Sequence, residues 1–307
     1  MNWTTENIPD LSGKVIIVTG GNSGLGFESV KAFAVKGAEV VLASRDVEKG
    51  ETAKSVITKE FPKLKIEVMP LDLADMRSIR NFAELFKNHY KKLDVLLNNA
   101  GIMMAPYSHT RDGFESQVGT NHLGHFALTG LLLNILIRTK ESRVVTISSN
   151  GHKYGKIDFS NLLYEKGKGY SALRAYARSK LCNLLFAYEL QRRFTVSGID
   201  SISVAAHPGV AKTNLGRFIE KKLLVRIMMP VWNTMSQTAT MGALPGIRAS
   251  VDPDVMPAEY YGPDGPRQSK GYPTVVMSSR ESYSARDAKQ LWELSEKLTG
   301  INYRFSR

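Results

Sequence analysis

Val15-Ile16-Ile17-Val18-Thr19-Gly20-Gly21-Asn22-Ser23-Gly24-Leu25-Gly26 is the stretch on which the reading of the fold turns. Four β-branched apolar residues in unbroken succession predict a strand buried on both faces, the pattern of a parallel sheet rather than of a half-exposed antiparallel one. Phe27, Val30, Phe33, Ala34 and Val35 follow at helical spacing, and Gly37 ends the run. A glycine-rich turn between such a strand and such a helix aims backbone N–H groups and the positive helix end at phosphate. Gly20, Gly24 and Gly26 fit the jobs of a tight turn, a close approach of the chain to phosphate and close helix–strand packing, and Asn22, Ser23 and Leu25 between them belong to the same site. The spacing is Gly-x-x-x-Gly-x-Gly, not the commoner Gly-x-Gly-x-x-Gly.

Outward from this turn, strand and helix alternate. Further strands are predicted at Glu39–Ala43, Ile66–Met69, Val95–Leu97, Arg143–Ile147 and Ile202–Ala205. Helices are predicted from Asp46 to about Phe61, from Met76 to about His89, from about Phe114 to Ile137 and onward from Tyr176. Alternation of this kind gives an α/β fold with one doubly wound parallel sheet. Without repeats, low complexity or a linker, the chain reads as one domain over 1–307, with a core at 11–215 and an irregular C-terminal region at 216–307. In that region Tyr260–Pro266 reads as a turn cluster and Leu291–Leu298 as a last amphipathic helix, while Met1–Pro9 reads as a polar arm.

Composition narrows the function classes. Hydrophobic content of 43% and charge of 23% are those of a soluble globular protein. The net charge of +12 is spread along the chain without a clustered basic face, which argues against nucleic acid and suits an anionic small molecule, with weak peripheral contact to a membrane surface as the remaining outlet. One cysteine, Cys182, excludes an internal disulfide framework and points to the cytoplasm. No apolar run approaches the ~20 residues of a membrane span. His122 and His125 lie three apart without a third ligand, so no metal site is expected.

Two further features carry chemistry. At the end of the second strand the chain reads Ala43-Ser44-Arg45. A carboxylate here would hold an adenosine ribose 2′-hydroxyl, whereas an arginine accommodates a 2′-phosphate. NADP(H) is therefore expected over NAD(H), with Asp46 pointing away from the site. Downstream, Tyr176-Ala177-Arg178-Ser179-Lys180 places a phenol and an ammonium four apart on one helix face. A lysine cation there would lower the phenol pKa towards the range useful for proton transfer.

Taken in order, Thr19-Gly20-x-x-x-Gly24-x-Gly26, Asn98-Asn99-Ala100-Gly101, Ser149, Tyr176-x-x-x-Lys180 and Pro208-Gly209 resemble the motifs of the short-chain dehydrogenases/reductases over roughly residues 11–215. The segments Gly119–Phe126 and Ser148–His152, and the long gap from Ser149 to Tyr176, are similar to the retinol-dehydrogenase-like branch. The resemblance implies a Rossmann-type fold and a hydride transfer between nicotinamide and a carbonyl or alcohol of a largely apolar small molecule. Tyr176 would be the general acid or base, Lys180 would hold the nicotinamide ribose, Ser149 would bind the substrate oxygen and Asn121 would complete a tetrad through a water. Asp72 and Leu73 would flank the adenine. Asn98, Ala100 and Gly101 would line the adenosine ribose and central phosphates, and Pro208, Gly209, Val210 and Thr213 would close over the nicotinamide amide. His207 is expected to be structural.

The resemblance also implies a substrate lid at Arg217–Trp232, which could alternatively touch membrane as a cationic amphipathic helix, and pairing as homodimers or homotetramers through the two long helices. Membrane-bound retinol dehydrogenases carry an N-terminal anchor that the opening residues do not show, which argues against retinoid as the natural substrate. Two rival functions are a non-catalytic NADP(H)-binding sensor and a C=C reductase on the same fold.

Overall fold

The computed structural model describes residues 2–211 and 236–305. β1 (Val15–Thr19) is buried at all five positions, as its unbroken apolar run predicts. It pairs in parallel with β2 (Glu39–Ser44) on one side and with β4 (Val95–Asn98) on the other. β3 (Ile66–Pro70) lies outside β2, and β5 (Arg143–Ile147) and β6 (Ile202–Ala206) extend the sheet beyond β4. Two more strands, β7 (Tyr260–Pro263) and β8 (Pro273–Val275), complete an eight-stranded sheet ordered β3-β2-β1-β4-β5-β6-β7-β8, parallel except for the β7–β8 pair. The winding direction reverses between β1 and β4, which opens a crevice at their carboxyl ends.

Helices cover both faces. α1 (Gly24–Val35), α2 (Val47–Glu60), α3 (Met76–His89), α4 (Ser116–Val118), α5 (Gly124–Arg138) and α6 (Ala172–Val196) alternate with the strands. α3 shows the local logic: Asp75 caps it by accepting the Arg77 and Ser78 amides, and Ile79, Phe82, Ala83 and Phe86 bury one face at helical spacing. Each fully buried Phe or Ile of this kind contributes about 1.5–3 kcal/mol. One core holds Phe82, Phe86, Phe126 and Phe194; the opposite face packs Val30, Phe33, Leu42 and Ile57.

The structure departs from expectation at four places. The helix expected over 114–137 starts at Ser116 and is widened by a π turn at Gly119–Leu123, which carries Asn121. The expected turn cluster at Tyr260–Pro266 begins with β7, whose pairing with β6 is a long-range choice that no local signal encodes. α7 (Ala239–Val251) forms despite Pro245, and it packs against α1. The polar arm is anchored, because Trp3 and Ile8 are buried in the second core. The insert between Ser149 and Tyr176 is fastened by Arg178 of α6. Its guanidinium donates to the carbonyls of Asn161 (2.7 Å) and Leu162 (2.9 Å) and lies 4.0 Å from the Tyr164 ring centre.

α8 (Ala285–Thr299), the amphipathic helix expected around 291–298, lies across α5 and α6. Trp292 packs on Phe126 and Phe186, Ser295 meets His122 Nε2 at 2.9 Å, and Tyr303 donates to the Phe126 carbonyl at 2.6 Å. Every residue of α6 from Ala175 to Gln191 is consequently buried.

Candidate active site

The crevice above β1 and β4 is a cleft of about 530 Å³. The glycine turn forms one side, with Gly20, Asn22, Ser23, Gly24, Leu25 and Gly26 at its surface. Gly20 has a φ of +66°, a left-handed conformation that glycine adopts without strain. A methyl group on Gly26 would collide with the Gly20 carbonyl, so this turn admits no side chain there. Ser44, Arg45, Asp72 and Leu73 line the far end and its rim, and Ala100 and Gly101 the opposite wall.

Sequence reasoning needs two corrections here. Asn98 does not line the cleft: it is fully buried and donates through Nδ2 to Thr129 Oγ1 at 3.1 Å, because successive residues at a strand end face opposite ways. Asn99 lines it instead, donating to the Thr19 carbonyl at 2.7 Å. Asp46 does not point away either. It lines the cleft beside Lys49, caps α2 and pairs with Lys49 Nζ at 2.6 Å. The Lys49 hydrogen bond holds the Asp46 carboxyl below the usual carboxylate range. Lys49, Ile102, Met103 and Thr120 also line the cleft and were not foreseen. Lys49 was legible in principle, four residues after Arg45 in the first turn of a predicted helix.

A second group of side chains meets the cleft at Gly101. A Cβ on Gly101 would sit 3.1 Å from Asn121 Oδ1 and 3.6 Å from Lys180 Nζ. Lys180 is buried and donates to the Ile147 carbonyl at 3.0 Å, and its ammonium lies 5.9 Å from the Tyr176 ring centre. Burial pushes Lys180 down to about 8. Tyr176 is also buried, and burial raises its phenol, with a hydrogen bond to Ser149 as the opposing influence. The net direction is therefore opposite to the lowering expected from Lys180: desolvation outweighs the Ser149 hydrogen bond. Ser149 accepts the Gly151 amide at 3.1 Å, whereas Ser148 is buried and donates to the Lys180 carbonyl at 2.8 Å.

Asn121 is locked in place. Its Oδ1 accepts the Ile102 amide (2.8 Å), and its Nδ2 donates to the Ile102 carbonyl and to Ser179 Oγ (2.9 Å each). His125, one turn on, meets the Asn121 carbonyl through Nδ1 (3.0 Å) and Thr19 Oγ1 through Nε2 (2.9 Å). A carbonyl can only accept, so Nδ1 carries the ring proton and Nε2 accepts from the Thr19 hydroxyl, whose oxygen also accepts the Asn99 and Ala100 amides (2.9 Å each) and lies 3.3 Å from the Leu97 carbonyl. Burial pushes His125 down to about 4, which keeps it neutral and ties the π turn to the end of β1.

Pro208, Gly209 and Val210 do not reach this cleft surface. Pro208 lies beside Leu25 and Asn99 in a small adjoining cavity, and its carbonyl accepts from Gln237 at 2.8 Å. Gly209 packs on the Ser269 carbonyl, which accepts the Val210 amide at 2.7 Å. His207 is buried, accepts the Gly209 amide through Nδ1 at 3.2 Å and is pushed down to about 3 by burial. Thr213 and Arg217–Trp232 lie outside the described residues.

With a glycine-turn cleft and a Tyr–Lys–Ser–Asn corner sharing one wall, the family follows. The chain belongs to the short chain dehydrogenase family, whose model matches residues 14–223, and it is an oxidoreductase acting on alcohol and carbonyl groups. Within that family it is retinol-dehydrogenase-like. It is 39% identical over 300 residues to retinol dehydrogenase 12 of Mus musculus (97% of this chain, 90% of the relative). Retinol dehydrogenase 11 of Homo sapiens is 40% identical over 293 residues (95% and 87%), and the WW domain-containing oxidoreductase of Gallus gallus is 42% identical over 298 (94% and 69%). Among solved structures, an uncharacterised protein from Mycobacterium paratuberculosis superposes with a TM-score of 0.83 at 39% identity, covering 99% of this chain and all of that one. The Pseudomonas aeruginosa RhlG/NADP complex shares the fold, with a TM-score of 0.62 at 21% identity, covering 79% and 91%.

Proposed function

We propose that this chain is an NADP(H)-dependent oxidoreductase for a largely apolar carbonyl or alcohol, with Tyr176 as proton donor in reduction and proton acceptor in oxidation. The observation that carries the reading is the position of Gly101, which lines the cleft and lies against both Asn121 and Lys180. A cleft of about 530 Å³ walled by backbone at the glycine turn and by cations at its far end fits a dinucleotide phosphate. Such a cofactor supplies the hydride.

Gly20, Asn22, Ser23, Gly24, Leu25 and Gly26 would hold the central phosphates. Exposed Arg45, with Lys49 beside it, would pair with a 2′-phosphate, and Asp46 is already engaged by Lys49. Asp72 and Leu73 would bracket the adenine, and Ala100 and Gly101 would bound the ribose and phosphate path. Pro208 stands one cavity away from the glycine turn, and with Gly209 and Val210, which follow it, would close the nicotinamide end.

At the reacting end, Tyr176 passes its phenolic proton to the carbonyl oxygen as the adjacent carbon is reduced. Ser149, hydrogen-bonded to that phenol, orients it and offers its hydroxyl to the developing oxyanion. Lys180 would hold the ribose hydroxyls. As a cation it favours the phenolate that remains after proton transfer, so the buried ammonium acts late in the step rather than on the resting phenol. Asn121 braces the wall through Ile102 and Ser179.

The names of the retinol dehydrogenase relatives support a long apolar alcohol or aldehyde as substrate. Among the described residues no helix is long and apolar enough to cross a membrane. Buried Cys182 fits a reducing compartment, and we place the protein in the cytoplasm. Pairing through α5 and α6 would require α8 to leave them, which argues against a dimer on that face.

Turnover of NADPH and of NADH with aldehydes, ketones, quinones and retinal tests the reading. NADPH oxidation by at least one apolar carbonyl is expected, with NADH much weaker. Equal use of the two nucleotides would remove the role given to Arg45.

A further inference from the structure

His152 is fully buried in the turn that follows Ser149 and is not accounted for by the chemistry above. Its ring makes two hydrogen bonds. Nε2 lies 3.0 Å from the Ser279 amide nitrogen, and Nδ1 lies 2.6 Å from the Ser149 carbonyl oxygen. A backbone amide can only donate, so Nε2 is the unprotonated nitrogen and Nδ1 carries the proton. The ring is therefore a neutral bridge of fixed tautomer. It joins the carbonyl of Ser149 to a segment that lies 127 residues beyond His152 along the chain.

That segment is itself rigid. Tyr283 of the 3-10 turn Arg280–Tyr283 stacks on Tyr188 of α6 with ring centres 5.2 Å apart, and Tyr188 meets Ser278 Oγ at 2.9 Å. At the other end of the bridge, Gly151 lies against the Tyr176 ring, and its amide donates to Ser149 Oγ. The turn that presents the Ser149 hydroxyl to Tyr176 thus hangs between Tyr176 and His152. We propose that His152 is a positioning residue for Ser149, transmitting the hold of Ser278–Tyr283 onto the turn that carries the reactive hydroxyl. This rests on the role given to Ser149 above.

Protonation would put a hydrogen on Nε2 against the Ser279 N–H and break the bridge. Burial opposes that protonation and keeps the imidazole below its ordinary range; Lys153 on the same turn acts in the same direction, while the Ser149 carbonyl and Glu281 of the facing 3-10 turn act against it. The remaining neighbours are the Tyr260 ring of β7, 5.7 Å away, and His207, which burial keeps neutral. On the alkaline side the rate falls with loss of the Lys180 cation, which burial brings down to about 8, ahead of the Tyr176 phenol, which burial raises. A fall on the acid side belongs to a different group, and the bridge supplies one.

The test measures kcat for carbonyl reduction between about pH 5 and 8, with NADPH affinity as a folding control, in five variants. His152→Phe removes both bonds and is expected to lower kcat about ten- to a hundredfold, the cost of a misplaced reacting group, with NADPH affinity unchanged. His152→Asn keeps a donor near the Ser149 carbonyl and should recover most of that loss. Ser279→Pro deletes the amide donor, and with it the Ser279 hydroxyl, at a residue whose φ of −69° already suits proline. Freed of its partner, Nε2 then protonates more readily, so the acid limb should move to higher pH. In a Ser149→Ala background, His152→Phe should cost nothing further.

An equal fall in both backgrounds, or an acid limb unmoved by Ser279→Pro, would overturn the proposal. If His152→Phe does not fold, the Ser279→Pro profile decides alone. Wild-type turnover in Ser149→Ala would instead sink the role of Ser149 itself. Loss in Ser149→Ala with full activity in His152→Phe would sink only the bridge.

Discussion

The glycine-turn cleft and the Tyr176–Lys180 corner share Gly101 but are built on opposite principles. The cleft is open, lined by backbone at the glycine turn and by the exposed charges of Arg45 and Lys49 at its rim. The corner is closed: Tyr176, Lys180 and Asn121 are 8%, 4% and 0% exposed, and each is held by desolvated hydrogen bonds or packing. Rim charges act through water and are screened by salt, whereas buried groups act through desolvation and are not. Recognition of the nucleotide should therefore tolerate side-chain loss in a graded way, and chemistry should not.

The sharpest way to break this contrast is Tyr176→Phe, which is expected to lower kcat about 10²–10⁴-fold while leaving NADPH affinity intact, as read by single-turnover rates and fluorescence titration. Equal losses in both would mean that the corner also binds. Gly26→Ala attacks the backbone side of the cleft. The added methyl meets the Gly20 carbonyl, and an overpacking cost of about 1–3 kcal/mol should appear as roughly ten- to a hundredfold weaker NADPH binding. Arg45→Ala should weaken NADPH by about tenfold, leave NADH unchanged and flatten the salt dependence of NADPH binding.

A further expected effect, read in stability, has the opposite sign. Lys180 sits at about 8 when folded, below its ordinary 10.5, so at neutral pH the folded protein holds a cation that burial disfavours. Lys180→Met should stabilise the protein without cofactor by on the order of 1–3 kcal/mol at pH 7 while abolishing turnover. Wild-type stability should rise as pH climbs from about 8 towards 10.5, where the unfolded chain binds the extra proton, and the Met variant should lack that rise. Asn183 Nδ2 continues to satisfy the Ile147 carbonyl in the variant. Thermal unfolding across that range reads both.

What the sequence discloses follows the same division. The glycine turn, β1 to β6 and the Arg45 strand end were legible because each is written in a short window of residues. The corner was legible as a set of residue types but not as energetics, because the desolvation that raises Tyr176 comes from packing far along the chain. The Asn98–Asn99 exchange turned on a single step of strand alternation. β7 and β8 were hidden in Gly- and Pro-containing segments whose pairing is decided by β6. α7 was hidden by Pro245, which its packing against α1 overrides. The His152–Ser279 bridge had no signal at all, since one histidine and one serine amide so far apart have no shared pattern.

α8 and Tyr303 give the molecule a direction in time. A chain emerging from the ribosome releases α5 and α6 long before Trp292, so Phe126 and Phe186 wait without their cover while more than a hundred residues are still to come. Tyr303, whose hydroxyl reaches back to the Phe126 carbonyl, emerges later still, 177 residues after its partner. The cover over α6 is therefore completed only after Tyr303 has emerged, and a chain stopped before α8 carries an apolar flank exposed to every chaperone and protease it meets.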